Sequence, residues 1–155
     1  MPEKQEKDTH QKFAIDLFNL TWDLIEKEGR NEVETDRMIH AAHASRYHWE
    51  VVGEAENIAR GEWLVSRVYA LLTRIEPCLY HAKACLKTTL KNELQDFDLA
   101  FAYEAMARAL DLTGDEVEKA KYLALAEEAG VKIEDPSDRK YFLSELRSIQ
   151  PGTSS

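Results

Sequence analysis

Apolar residues return at three- and four-residue steps from early in the chain: Phe13, Ala14, Leu17, Phe18, Thr21, Leu24 and Ile25 form one broad stripe. Such a stripe marks a helix that buries one face, and it predicts a first helix over 9–28 closed by a left-handed Gly29. Asn31, with Glu34 three residues on, forms a capping pair for a second helix. That helix is expected to run over 32–59, since no proline interrupts it, with Gly53 marking close packing or a small bend. A third helix begins near Gly61 and carries Trp63, Leu64, Val68, Leu71, Leu72 and Ile75. Pro77 lacks the amide needed to continue it and sits at the turn or first turn of a fourth helix over 77–91. Beyond the polar link 92–96, a fifth helix covers 99–112, and its alanines at 100, 102, 105, 107 and 109 let backbones approach closely. Thr113-Gly114-Asp115 turns the chain into a sixth helix that ends with Gly130 as its cap. Pro136 opens a short last helix over 136–149 that covers the open end of the stack. No segment alternates apolar and polar residues long enough for a sheet, so the fold class is all-α.

A second pattern has a longer period. Displacing the sequence by 34 residues brings Trp63 onto Phe97, Val65 onto Leu99, Tyr69 onto Tyr103, Arg74 onto Arg108 and Leu90 onto Ala124. Over 97–130, with Ala100, Tyr103, Gly114-Asp115, Ala120, Leu123 and Ala124, the chain resembles the tetratricopeptide repeat. A fainter copy lies in 61–91, with Trp63, Ser66, Tyr69, Ala82 and Leu86. The segment from Met38 to Trp49 ahead of Gly61-Glu62-Trp63 is also similar to small uncharacterised bacterial helical proteins, a likeness that implies fold alone. The resemblance implies antiparallel helical hairpins stacked as a short TPR-like α-solenoid of about seven helices. It divides one domain, 1–150, into an N-terminal hairpin (9–59), repeats 61–91 and 97–130, and a capping helix. A solenoid normally needs about three repeats, so the first hairpin serves as a third layer or a second copy completes the core as a homodimer.

Composition narrows the partners. With 155 residues and 44% hydrophobic content, the chain suits one domain with a real core. A net charge of -9 without a basic cluster argues against nucleic acid and favours a neutral or cationic partner. The first twelve residues lack the apolar core of a signal peptide, and no apolar run reaches the ~18–20 residues of a membrane span. The expected setting is therefore cytoplasmic, with no membrane partner. Cys78 and Cys85, two turns apart on one helix, are too distant for a disulfide within it and read as buried thiols. Residues 151–155 read as a disordered tail.

The second helix carries the candidate chemistry. At 100° per residue Asp36, His40, His43, Tyr47 and Glu54 share one stripe, and Met38, Ala42, Ser45, Trp49 and Val52 the other. His48 lies a quarter turn away and is no natural third ligand. Three readings stay open. Asp36, His40 and His43, with His81 from the fourth helix, supply the donor types of a divalent-metal site. The same rings equally suit a hydrogen-bonded layer between two helices. The third reading is a ligand or partner groove near His43, Tyr47, Asn57, Arg60, Trp63 and Arg67, although Trp63 serves equally as the core anchor of its repeat. Phosphate-binding loops and glycine-framed nucleophiles are absent from the sequence. The expected function is thus a non-enzymatic helical scaffold that binds a protein or peptide, or itself, without a cofactor. The alternative is a metal-dependent enzyme using the His/Asp stripe. Either role is expected where the second helix meets the repeat beginning at Trp63.

Overall fold

The structure is a computed structural model that describes residues 3–149. Seven helices follow one another: α1 (Lys4–Glu26), α2 (Glu32–Val52), α3 (Ala55–Leu71), α4 (Ile75–Lys91), α5 (Phe97–Thr113), α6 (Glu116–Val131) and α7 (Pro136–Arg147). They are the only regular elements among the described residues. The closest pairings join α1 to α2, α3 to α4 and α5 to α6, which makes three hairpins stacked in chain order. Within the stack α1 touches α3 and α3 touches α5, while α7 lies against α5 and α6. The odd-numbered helices therefore form one continuous layer, and α3 stands at its centre.

Local chemistry explains most of the boundaries. Asn31 Oδ1 accepts the Glu34 amide at 2.8 Å and Glu34 Oε1 accepts the Asn31 amide at 3.2 Å, a reciprocal pair that opens α2. Asp115 and Asp135 cap α6 and α7 by accepting the Glu118 and Asp138 amides, and Pro136 takes the first-turn position where its missing amide is harmless. Gly29 and Gly114 adopt φ of 69° and 81°, the left-handed conformation that lets the chain reverse between hairpin arms. The alanines of α5 at 100, 102, 107 and 109 are wholly buried, which fits a helix packed against α3, α4, α6 and α7.

Several boundaries differ from the sequence reading: α1 already begins at Lys4, and Ile75, read into the third helix, opens α4. Two differences bear on the packing. The second helix does not reach 59: it stops at Val52, and α3 begins at Ala55, six residues before Gly61. Gly53 and Glu54 are both extended, and the Asn57 side chain accepts the Glu54 amide at 2.9 Å, so a new N-terminus is capped inside what read as one helix. A Cβ on Gly53 would stand 2.7 Å from the Trp49 carbonyl oxygen, which the bend brings close. The N-terminal hairpin thus ends at 52, and Glu54 leaves the histidine stripe. Gly130 is the second difference. It is buried within α6, whose cap is Lys132, and an added Cβ would meet Phe142 at 2.4 Å. Its missing side chain makes room for α7.

No described helix is long and apolar enough to cross a membrane. Cys78 and Cys85 are buried free thiols, and burial raises the pKa of both. Residues 151–155, expected to form a tail, lie outside the described residues.

Candidate functional site

The odd-numbered helices do not close completely. Between them lies a cavity of about 230 Å³ with almost wholly apolar walls. Phe18 and Trp22 come from α1, Ala59 and Trp63 from α3, Phe97 and Phe101 from α5, with Cys85 of α4 and Tyr141 of α7 completing it. The aromatic walls brace one another in the offset and edge-on arrangements that ring quadrupoles favour. Trp22 and Trp63 stack with centroids 5.8 Å apart, and Phe101 stands edge-on to Trp63 at 5.4 Å. One ion pair marks the wall. Arg60 donates through Nε and Nη2 to the two carboxylate oxygens of Asp98 at 2.8 and 3.1 Å, so each charge is already met by the other. Arg60 is half-exposed and also lines a shallower hollow with Ile15, Phe18, Asn19, Trp49 and Asn57. The two depressions share Phe18 and Arg60. A wider hollow between α4, α5 and α6 mixes Lys83, Asp115 and Glu118 with apolar residues and lacks this aromatic enclosure.

Trp63 is fixed from behind. Its Nε1 donates to Glu104 Oε1 at 3.0 Å, and Glu104 is fully buried. Arg108 donates to the other carboxylate oxygen at 3.2 Å and to the Glu145 carbonyl and Ser148 hydroxyl at the end of α7. Arg67 binds Glu145 at 3.1 Å, while its Nη1 is buried without a hydrogen-bond partner, 3.9 Å from Glu104. Burial and the nearby Glu145 push the Tyr141 hydroxyl up to about 12, which keeps that wall neutral. A charged network thus ties α3, α5 and α7 together behind an apolar pocket.

A different chemistry occupies the side of α3 that faces α2 and α4. Glu62, 7% exposed, accepts from Arg46 Nε at 2.9 Å and pairs with His81 Nδ1 at 2.6 Å. Beside it His43 Nε2 and the Tyr69 hydroxyl lie 2.8 Å apart. The His43 and His81 rings meet edge-on at 5.4 Å, and Tyr69 stacks on His81 at 6.0 Å. Burial lowers the His43 pKa, and the neighbouring His81 and His40 lower it further against the pull of Glu62. Burial by itself would raise the Glu62 carboxyl, but the His81 hydrogen bond and charge, with Arg46, leave it below its ordinary value. α2 and α4 do not pack backbone against backbone, so these rings are what joins them.

The sequence-predicted residues therefore separate into three places. Asn57, Arg60 and Trp63 line the two adjoining depressions. Arg67 belongs to the charged network behind them, with its guanidinium over the Trp63 ring at 5.9 Å. His43 sits in the imidazole seam, and Tyr47 is 57% exposed against His48. Trp63, read as either core anchor or groove residue, is buried in the core and borders the cavity. Of the metal set, His43 and His81 come together, whereas Asp36 and His40 are exposed along α2. Among the described residues no three or more His, Cys, Asp or Glu side chains are placed to hold a metal ion. His48, set apart from the stripe, pairs with His10 at 2.8 Å between the Nδ1 atoms.

α1 supplies the cavity wall facing Trp63, while α2, where the groove was expected, contributes Trp49 to the adjoining hollow with Asn57 and Arg60. Sequence reasoning missed Phe18, Trp22, Phe97, Asp98, Phe101 and Tyr141. The available signal was aromatic pairing one turn apart: Phe18/Trp22 and Phe97/Phe101 each put two rings on one helical face. Glu62 and Glu104 gave no such signal, since a glutamate in a helix usually reads as solvated. No protein-family model matches this chain, and comparisons with curated proteins and with solved structures return no match.

Proposed function

We propose that this chain is a non-enzymatic binding scaffold of stacked helical hairpins. It docks a protein or peptide partner by taking one apolar side chain into the pocket framed by Trp22, Trp63, Phe97 and Phe101. The pocket itself carries this reading, because preformed apolar hollows with few fixed polar groups are the usual ligand sites of helical folds. Arg60 separates it from the hollow at Asn19 and Asn57, which gives an extended ligand a second foothold and amide groups for its backbone. The net charge of -9 favours a partner with basic residues flanking the anchor. α1, α3 and α5 present this face as one layer, as the inner helices of a short stack do.

Short peptides carrying a single Leu, Phe or Trp between lysines test the proposal by amide chemical-shift mapping. At least one is expected to shift the indole N–H signals of Trp22 and Trp63, with the effect lost in Ala59→Phe, which fills the pocket. Ala59→Leu serves as the milder filling variant if the first does not fold. Shifts confined to other helices, or none at all, overturn the proposal. Light scattering at rising concentration separates partner docking from docking of a second copy.

A further inference from the structure

The pocket's size and wall chemistry specify the anchor more narrowly than "apolar", and the step rests on the binding reading above. A cavity of about 150 Å³ lined by aliphatic and aromatic side chains holds one benzene. The present one, at about 230 Å³, has room for a second fused ring. Its walls are the faces and edges of Trp22, Trp63, Phe97 and Phe101, so a flat π-system recovers ring-to-ring contacts that a branched aliphatic group does not. Charge is excluded by the same wall. Arg60 and Asp98 already neutralise each other, so an ionised ligand would leave water without meeting an uncompensated opposite charge.

Asp98 is the carboxylate of the lining, which also holds the Cys85 thiol and the Tyr141 hydroxyl. A carboxylate offers about four acceptor positions, and Arg60 engages one on each oxygen, so the group can take another donor. We infer that the occupant is a neutral indole ring, seated among the Trp and Phe walls with its N–H directed to Asp98. The ring belongs to a tryptophan side chain of the partner, whose flanking basic residues suit the net charge of -9, and a free indole compound is the alternative that the test excludes.

Titration of the full chain with indole, 1-methylindole and toluene, followed on the Trp22 and Trp63 indole signals, tests the ring. Indole is expected to bind about fivefold or more tightly than 1-methylindole, the size of one hydrogen bond, and toluene more weakly than indole. In Asp98→Ala the difference between indole and 1-methylindole is expected to vanish while the helical circular-dichroism spectrum persists. Equal binding of 1-methylindole and indole by the unaltered protein, or tighter binding of toluene, overturns the indole assignment and leaves the scaffold reading standing. If none of the three probes, and no peptide, moves the Trp22 and Trp63 signals, the assignment and the scaffold reading fall together. A Trp peptide that binds more tightly than free indole identifies a partner side chain as the source. The reverse order keeps the indole assignment, names a free indole compound as the ligand and overturns the peptide partner.

Discussion

Glu62 and Trp63 are neighbours in α3, yet they look out on two unlike interiors. Trp63 faces aromatic rings from α1 and α5, with its one polar atom tied to a carboxylate that no solvent reaches. Glu62 faces Arg46, His81, His43 and Tyr69, polar rings and charges that keep some contact with water. Both sides are buried, but for different reasons. The first gains from removing apolar surface from water, whereas the second joins helices whose backbones stay apart and depends on which groups carry protons. The pocket side is therefore the place for a neutral ligand, and the imidazole side is the place where pH acts.

The two buried glutamates give the sharpest contrast. Glu104→Ala leaves the buried Trp63 Nε1 and the Arg108 Nε without their shared acceptor, beside the already unpartnered Nη1 of Arg67, and is expected to cost about 3–5 kcal/mol. Glu62→Ala removes a carboxylate that is itself 10% exposed, against 1% for Glu104, and strands no buried indole N–H, so its cost is expected nearer ~1–3 kcal/mol. Urea unfolding of both variants checks the order. Equal losses would remove the distinction between the two sides.

Acid separates the sides next. Burial, with His81 and His40, holds the His43 pKa below its ordinary 6.5, so the folded seam favours the neutral ring. Between those two values the unfolded chain binds a proton that the folded chain refuses, and stability present at neutral pH declines as pH falls below 6.5. His48, lowered by burial and by His10, adds to the same window. Glu62 acts later: its contribution is present above 4.5 and is lost as pH falls through its lowered folded value. Urea midpoints at about pH 7.5 and about pH 5.5 should differ, and less so in His43→Gln. Indole affinity should stay level across the same range, because no histidine lines the pocket. An unchanged pH slope in His43→Gln, or an affinity that follows it, would break the separation.

The smallest effect belongs to the rim. Arg60 is half-exposed, so its ion pair with Asp98 adds little to folding, and Arg60→Ala is expected to change stability by less than about 1 kcal/mol. A thermal melt that drops well beyond that range would make the rim a structural clamp in place of an adaptable edge.

The repeat echo does not carry over into the helix spacing. Trp63 and Phe97, brought into register by the 34-residue displacement, both line the pocket, yet α3 and α5 begin at Ala55 and Phe97, 42 residues apart, so Trp63 lies mid-helix where Phe97 opens its helix. The echo could not indicate that α1 supplies the opposite wall, since Phe18 and Trp22 lie outside it. The histidine stripe was legible as a polar face, but its partners were not. Glu62 and Tyr69 are 19 and 26 residues from His43 along the chain, and helical periodicity carries no information about which face meets which.

What the amino-acid order determined by itself was the set of interactions closed within a turn or two. The apolar stripes, the Asn31/Glu34 capping pair, the reversal at Gly114 and the Pro136 start all act over three or four residues, so they can be read directly. Even there the break at Gly53 escaped periodicity, because the apolar stripe continues through a bend that a single cap at Asn57 fixes. Only the stacked structure decided that Trp63 borders a cavity, that Glu104 is buried beneath it, and that Glu62 holds His81. Each depends on how hairpins seat against one another, and close packing among distant side chains resolves that choice through the summed fit of the whole layer.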